Sequence, residues 1–209
     1  MSAVTQLHIA KARSFAALHV PGAPLVLYNI WDAGSAQAVE KAGATALATG
    51  SASVAGAQGF GDGEQIPLDD VLTVLSRITA QTELPVTLDF EGGYTTDNDR
   101  LARNTRAVIE AGAVGVNFED QVVGTDQLHP ISAQAERIAA MRTAAERIGL
   151  PLFINARTDL FLKADPATHT GALVDKALAR ANAYAEAGAS GFFAPRLLDE
   201  DLIRTLCDA

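Results

Sequence analysis

With 209 residues, 48% hydrophobic and 20% charged, the chain is long enough to bury one sizeable core in a single domain spanning 1–209. A net charge of −9 with no Lys/Arg run argues against nucleic acid and anionic membrane as partners. The single cysteine, Cys207, excludes an internal disulfide and fits a reducing, cytoplasmic compartment; residues 1–10 lack a signal-peptide layout, and no apolar run reaches membrane-spanning length.

In chain order, residues 5–19 carry the apolar spacing of a first helix, which Pro21-Gly22 stops. Residues 25–30 read as a strand ending in Trp31-Asp32, residues 35–41 as a helix, and 44–49 as a second strand leading into Gly50-Ser51-Ala52-Ser53. The glycine-rich stretch 56–66 is expected to be irregular, and 67–79 helical. Residues 84–94 begin as an apolar strand after a proline and end in two acids, Asp89 and Glu91, before paired glycines. A helix over 97–111, a strand over 114–118 ending in Glu119-Asp120-Gln121, and a long helix over 132–148 follow. A fifth strand-like run occupies 151–159, then a helix 173–187, a strand 191–194 and a last helix 199–206.

Three helices end alike, at Gly43, Gly112 and Gly188, each preceded by Glu-Lys-Ala or Glu-Ala and followed by alanine. Glycine just past a helix end takes the left-handed cap conformation and turns the chain back to the sheet. Such strand–helix alternation means a parallel sheet. No G-x-G-x-x-G or Walker fingerprint follows a strand, and nearly every strand ends in polar residues, which in a barrel would meet at one face. The expected fold is therefore α/β, a TIM-type (β/α) barrel.

Alternation of side chains along a strand puts Asp89 and Glu91 on one side. With Glu119 from the next strand, and Asp32 nearby, they form a like-charge cluster that needs a cation or a proton. Oxygen-only ligands suit Mg²⁺ before Zn²⁺; the bland reading of Asp89 and Glu91 is a solvated strand end. Arg157 has a fork suited to a carboxylate or oxyanion, its alternative being an ion pair with Asp159 or Glu119. The amides of Ser51, Ala52 and Ser53 offer a cradle for a substrate carboxylate. Trp31 reads as a packing residue and His129 as a solvent-facing loop histidine, with proton shuttling its alternative.

Taken together, Asn29-x-Trp31-Asp32-Ala33-x-Ser35-Ala36, Asp89-x-Glu91-x-Gly93-Tyr94, Glu119-Asp120-Gln121 and Asn155-Ala156-Arg157-Thr158-Asp159 resemble the isocitrate lyase/phosphoenolpyruvate mutase superfamily. The resemblance runs from about Phe15 to the C-terminus in matching order. It implies Mg²⁺ at Asp89, with Glu91 and Glu119 bound directly or through waters. It implies a substrate carboxylate at Ser51, Ala52 and Ser53, and a 2-oxo acid at Arg157. It makes 56–66 a gating loop, with Asp62 near an acid used in some members. The implied chemistry is Mg-dependent cleavage or formation of a C–C or P–C bond through an enolate, by a homo-oligomer acting on a small 2-oxo acid.

Departures narrow this. Where tricarboxylate lyases carry Lys-(Lys/Arg)-Cys-Gly-His, this chain reads Thr125-Asp126-Gln127-Leu128-His129, so Gln127 stands in place of the cysteine. A glutamate those lyases use falls at about Pro195, and Gln121 stands where mutases and hydrolases have lysine. About six strands are legible, whereas a closed barrel takes eight in ~250 residues, so the last two strand–helix units are expected to be missing. The expectation is a Mg-dependent lyase or hydrolase on an oxaloacetate-like substrate; the alternative is a non-catalytic member that binds a 2-oxo acid or a protein.

Overall fold

A computed structural model describes residues 4–209. The first three residues of the 1–10 stretch, in which no signal-peptide layout is expected, lie outside the described residues. The elements are α1 (Gln6–Ala17), β1 (Asn29–Ile30), α2 (Ala33–Lys41), β2 (Leu47–Thr49), α3 (Ser51–Ala57), α4 (Leu68–Thr79), β3 (Val86–Asp89) and α5 (Asn98–Glu110). They continue as β4 (Gly115–Glu119), α6 (Ile131–Arg147), β5 (Phe153–Arg157), α7 (Leu160–Lys163), α8 (Gly171–Glu186), β6 (Gly191–Phe193) and α9 (Glu200–Asp208), with a 3₁₀ turn over Pro166–Thr168.

All six strands are parallel and stand in sequence order, β1 through β6. A doubly wound sheet reverses its order at a switch point, and this one never does, so the sheet is a partial β/α barrel. One face is apolar: Leu88, Val116, Phe118, Ile154 and Ala156 stand in register and are buried among apolar residues from the flanking helices, while Asp89, Asn117, Glu119, Asn155 and Arg157 alternate onto the other. Burying one such Val, Leu, Ile or Phe stabilises the fold by roughly 1.5–3 kcal/mol.

The helix ends follow the glycine signal. Gly43, Gly112 and Gly188 have φ of +99°, +101° and +103°. In each case the residue after the glycine donates its N–H back across the helix end, Ala44 to Val39, Ala113 to Val108 and Ala189 to Tyr184. Gly149 closes α6 in the same way, with Leu150 donating to Ala145.

Three stretches differ here from expectation. Only Asn29 and Ile30 of the 25–30 stretch join the ladder, pairing with Ala48 and Thr49. Leu25 and Leu27 face the core while Val26 and Tyr28 are exposed, so the stretch has a strand's alternation without a ladder partner. The start of the glycine-rich region is helical: α3 begins at Ser51, immediately after β2, and ends at Ala57. Past β5, Asp159 opens the short helix α7 instead of prolonging the strand.

Candidate active site

The carboxylates converge at the C-terminal ends of β3 and β4, though not by simple alternation. Asp89 is the last residue of β3, whereas Glu91 lies beyond it in a turn with φ of +50°. The turn is held by the Gly93 N–H donating to Phe90 O at 2.9 Å. Gly93 has φ of +79°, and a Cβ there would lie 2.4 Å from Leu101 Cδ1. Only glycine fits that position.

Asp89 is anchored on one oxygen and open on the other. Its Oδ2 accepts the Ser51 N–H at 3.0 Å, and its own N–H donates to Thr49 Oγ1 at 2.9 Å. Its Oδ1 is buried without a hydrogen-bond partner among the described residues. A cavity of about 10 Å³ adjoins it, lined by Thr49, Ser51, Asp89, Glu91 and Tyr94 among others. That is room for about one water.

Glu91 Oε2 accepts the Glu64 N–H at 2.8 Å, and the Tyr94 hydroxyl donates to Oε1 at 3.4 Å. Burial pushes the Glu91 carboxyl up to about 7, with the charges of Asp62, Asp89 and Glu64 adding to the rise. Burial pushes Glu119 up to about 8, opposed by Arg157 and reinforced by Asp159, Asp89 and Glu91. The negative charge brought together here is therefore poorly satisfied by the protein alone.

Arg157 faces Glu119 across the β4–β5 register and meets it at 3.2 Å. Its Nε and one terminal nitrogen also grip Asp159, at 2.6 and 3.1 Å. Both ion pairs foreseen as the bland alternative are present, and they use three of the five N–H donors of the guanidinium. Asp159 is buried, and its N–H donates to Asp120 Oδ1. Asp120 is a structural hub, taking Arg180 at 2.9 Å and the Tyr184 hydroxyl at 3.0 Å on its other oxygen.

The 50–53 cradle is partly committed. Ser51 gives its amide to Asp89, and the Ser53 hydroxyl donates to Gly50 O at 2.9 Å. The first intrahelical bond runs from Val54 N–H to Gly50 O, so the Ala52 and Ser53 amides precede the helix's own ladder. Asp62 is exposed on the loop above Glu91. Asp32, by contrast, caps α2, accepting the Ser35 N–H at 2.6 Å in a capping box, and takes no part in the carboxylate cluster. Trp31 is 43% exposed, which does not fit a packing residue. His129 is half-buried, its N–H donating to Asp120 O at 2.7 Å.

A phosphoenolpyruvate phosphomutase family model matches residues 15–209. The chain belongs to that family. It is 32% identical over 192 residues to 2-methylisocitrate lyase of Escherichia coli K12, a match covering 89% of this chain and 62% of that protein. The chain thus spans under two thirds of the length of that relative. A solved structure from Burkholderia cenocepacia J2315, whose phosphonomutase assignment is provisional, superposes with a TM-score of 0.93 at 50% identity, covering 95% of this chain and 79% of the other. Phosphonopyruvate hydrolase, solved with oxalate and Mg²⁺, shares the fold with a TM-score of 0.81 at 20% identity, over 94% and 67% of the two chains. The named relatives are enzymes of the phosphoenolpyruvate mutase/isocitrate lyase superfamily.

Two residues that the motifs did not announce brace the backbone around these carboxylates. Gln134 donates to Glu119 O at 3.0 Å and accepts from Arg137 at 2.7 Å. Arg137, buried 4.7 Å over the Phe118 ring, donates to Gly92 O and Thr95 O and so clamps the Glu91 turn from below. A signal for both existed: Gln134, Arg137, Ile138 and Met141 fall on the one buried face of α6.

Proposed function

We propose that this chain is a Mg²⁺-dependent lyase or hydrolase that cleaves a carbon–carbon bond in a small, oxaloacetate-like 2-oxo acid through an enolate. The observation that carries the reading is the buried, unpartnered Asp89 Oδ1 beside two carboxyls, Glu91 and Glu119, that burial raises well above the usual carboxylate range. Among the described residues no three His, Cys, Asp or Glu side chains close a metal shell by themselves. Mg²⁺ keeps several waters and needs only one or two carboxylates, so the donor set fits it: Asp89 directly, with Glu91 and Glu119 through waters. The oxalate and Mg²⁺ of phosphonopyruvate hydrolase are carried over to this chain on that basis.

Bound there, the cation would polarise the 2-oxo acid's oxygens and favour enolate charge. The remaining work falls to the chain's own residues. Ser51 holds Asp89 in place through its amide. The Ala52 and Ser53 amide N–H groups donate to the substrate carboxylate. Arg157, stiffened by Asp159 and Glu119, turns its two remaining N–H groups to the oxyanion. Asp62, on the loop above, takes a proton from the attacking water at its carboxylate and returns it to the departing acetate carbon. Hydrolysis of oxaloacetate with water would release oxalate and acetate; loss of carbon dioxide would release pyruvate.

A second reading has one observation in its favour: Arg157 is already paired twice, which suits a member that binds a 2-oxo acid or a protein and cleaves nothing. Oxalate, acetate and pyruvate release from oxaloacetate, with and without EDTA, separates the two. Release abolished by EDTA and restored by Mg²⁺ supports the enzyme; no release, with oxalate still bound, supports the binding protein.

A further inference from the structure

Glu64 is joined to the carboxylate-bearing turn twice. Its backbone N–H donates to Glu91 Oε2 at 2.8 Å, and its own Oε1 accepts the Tyr94 N–H at 2.7 Å. Glu64, Glu91 and Tyr94 all have positive φ, +57°, +50° and +62°, in a region that non-glycine residues disfavour. Strained backbone of this kind persists only where neighbouring contacts hold it, and it concentrates at clamps and switches. The turn is shaped to receive the side chain: a Cβ on Gly92 would come within 3.0 Å of Glu64 Oε1 and 2.7 Å of Val123 Cγ2. Arg137 clamps Gly92 O and Thr95 O on the far side, and its charge acts on Glu64.

The consequence is a fixed Glu91. The same half-buried residue holds the turn at Tyr94 and Glu91 at its carboxylate, and the segment that carries it also carries Asp62.

We propose that Glu64 is a positioning residue that latches the 56–66 loop onto the Phe90–Tyr94 turn and, when seated, aims Glu91 through its own amide. Only the ligand used in the test rests on the 2-oxo-acid reading; the latch is a property of the free chain.

Hydrogen exchange of the whole chain tests this, comparing wild type with Glu64→Ala, Glu64→Gln and Glu64→Gly, with and without Mg²⁺ plus oxalate. Loss of the half-buried carboxylate acceptor should speed exchange at the Tyr94 amide and across 59–66 at least about tenfold in Glu64→Ala. Glu64→Gln keeps an oxygen acceptor and should recover most of the protection. Glu64→Gly accommodates the positive φ and should fold even where alanine does not, yet exchange as fast as Glu64→Ala. For oxaloacetate, Glu64→Ala should raise KM more than it lowers kcat, with Glu64→Gln restoring KM. Unchanged Tyr94 protection in both Glu64→Ala and Glu64→Gly would overturn the latch, as would Glu64→Gln behaving like the alanine variant. If wild type neither binds oxalate nor turns over oxaloacetate while Glu64→Ala still loosens the loop, the latch stands and the functional reading falls.

Discussion

Arg157 and Glu119 occupy paired positions on β5 and β4 and meet at 3.2 Å, while the same guanidinium grips the buried Asp159 at 2.6 Å. One side chain thus ties a carboxylate of the cluster to a buried acid on the following loop.

Removing that cation should therefore cost stability as well as ligand binding. Breaking a buried pair by deleting one partner costs about 3–5 kcal/mol, because the other charge stays buried without compensation. Arg157→Met should lower the free energy of urea unfolding by about that much. Arg157→Lys should recover part of the stability but not the oxalate affinity, since an ammonium cannot reproduce the planar fork. A loss below about 1 kcal/mol in Arg157→Met would show that the ion pairs hold little of the fold.

The metal assignment rests on Asp89. Isothermal calorimetry should find Mg²⁺ binding in wild type and none in Asp89→Ala. Mg²⁺ at about a hundred times its dissociation constant should also stabilise wild type by about 2.7 kcal/mol, and Asp89→Ala by nothing. Equal Mg²⁺ binding by the two proteins would remove Asp89 from the site.

Much of this was legible in the residues, for identifiable reasons. Parallel alternation shows in glycine-capped helices followed by apolar runs, and Gly43, Gly112 and Gly188 took the conformation their position demands. The motif at 89–94 located the carboxylate cluster, but its geometry was misread. Strand alternation does not place Glu91; a turn with positive φ does, and nothing in a single sequence distinguishes a strand that continues from one that ends two residues earlier. Asp32 looked like a fourth site carboxylate because helix caps and strand-end ligands draw on the same residue types. Glu64 was missed because a hydrogen bond between a loop and a distant turn leaves no periodic trace; Arg137 does leave one, on the buried face of α6, but a charged residue there reads as solvent-facing.

Arg137 predicts a second stability effect. It satisfies two backbone carbonyls in a buried turn, and a buried acceptor left without its donor costs about 1–3 kcal/mol. Arg137→Met, which retains the contact with Phe118, should shift the urea midpoint downward by an amount in that range or more. It should also speed exchange at residues 92–95 ahead of the rest of the chain. Uniform exchange would show that Arg137 stabilises the fold generally and not the turn.

Backbone geometry sets a limit at Gly93. An alanine there would meet both a φ of +79° and a contact of 2.4 Å with Leu101. Left-handed strain and steric crowding together should cost more than about 1 kcal/mol, whereas Gly124→Ala, at φ of +80° with nothing within 4 Å of the new Cβ, isolates the strain alone. Equal losses by thermal or urea unfolding would show that Leu101 yields freely.

The last expectation concerns reaction type, and it runs against the likeness to 2-methylisocitrate lyase. By family resemblance, those lyases use a cysteine as proton donor in the segment that here reads Thr125-Asp126-Gln127-Leu128-His129. Gln127 is exposed on a short hairpin, closed by the Val122 N–H donating to Gln127 O at 2.9 Å and strapped down by Lys163 Nζ on Thr125 O at 2.9 Å. A glutamine amide gives up no proton at neutral pH. Loss of a positioned general acid lowers rate by about 10²–10⁴-fold. Isocitrate and methylisocitrate cleavage should therefore stay near background, while oxaloacetate, whose small acetate or pyruvate enolate can take its proton from water, is turned over. Parallel steady-state assays with isocitrate, methylisocitrate, oxaloacetate and phosphonopyruvate decide the matter. Robust turnover of either tricarboxylate would mean that another group supplies the proton. His129, half-buried two residues on and held by burial below the usual imidazole pKa, is the residue to substitute next.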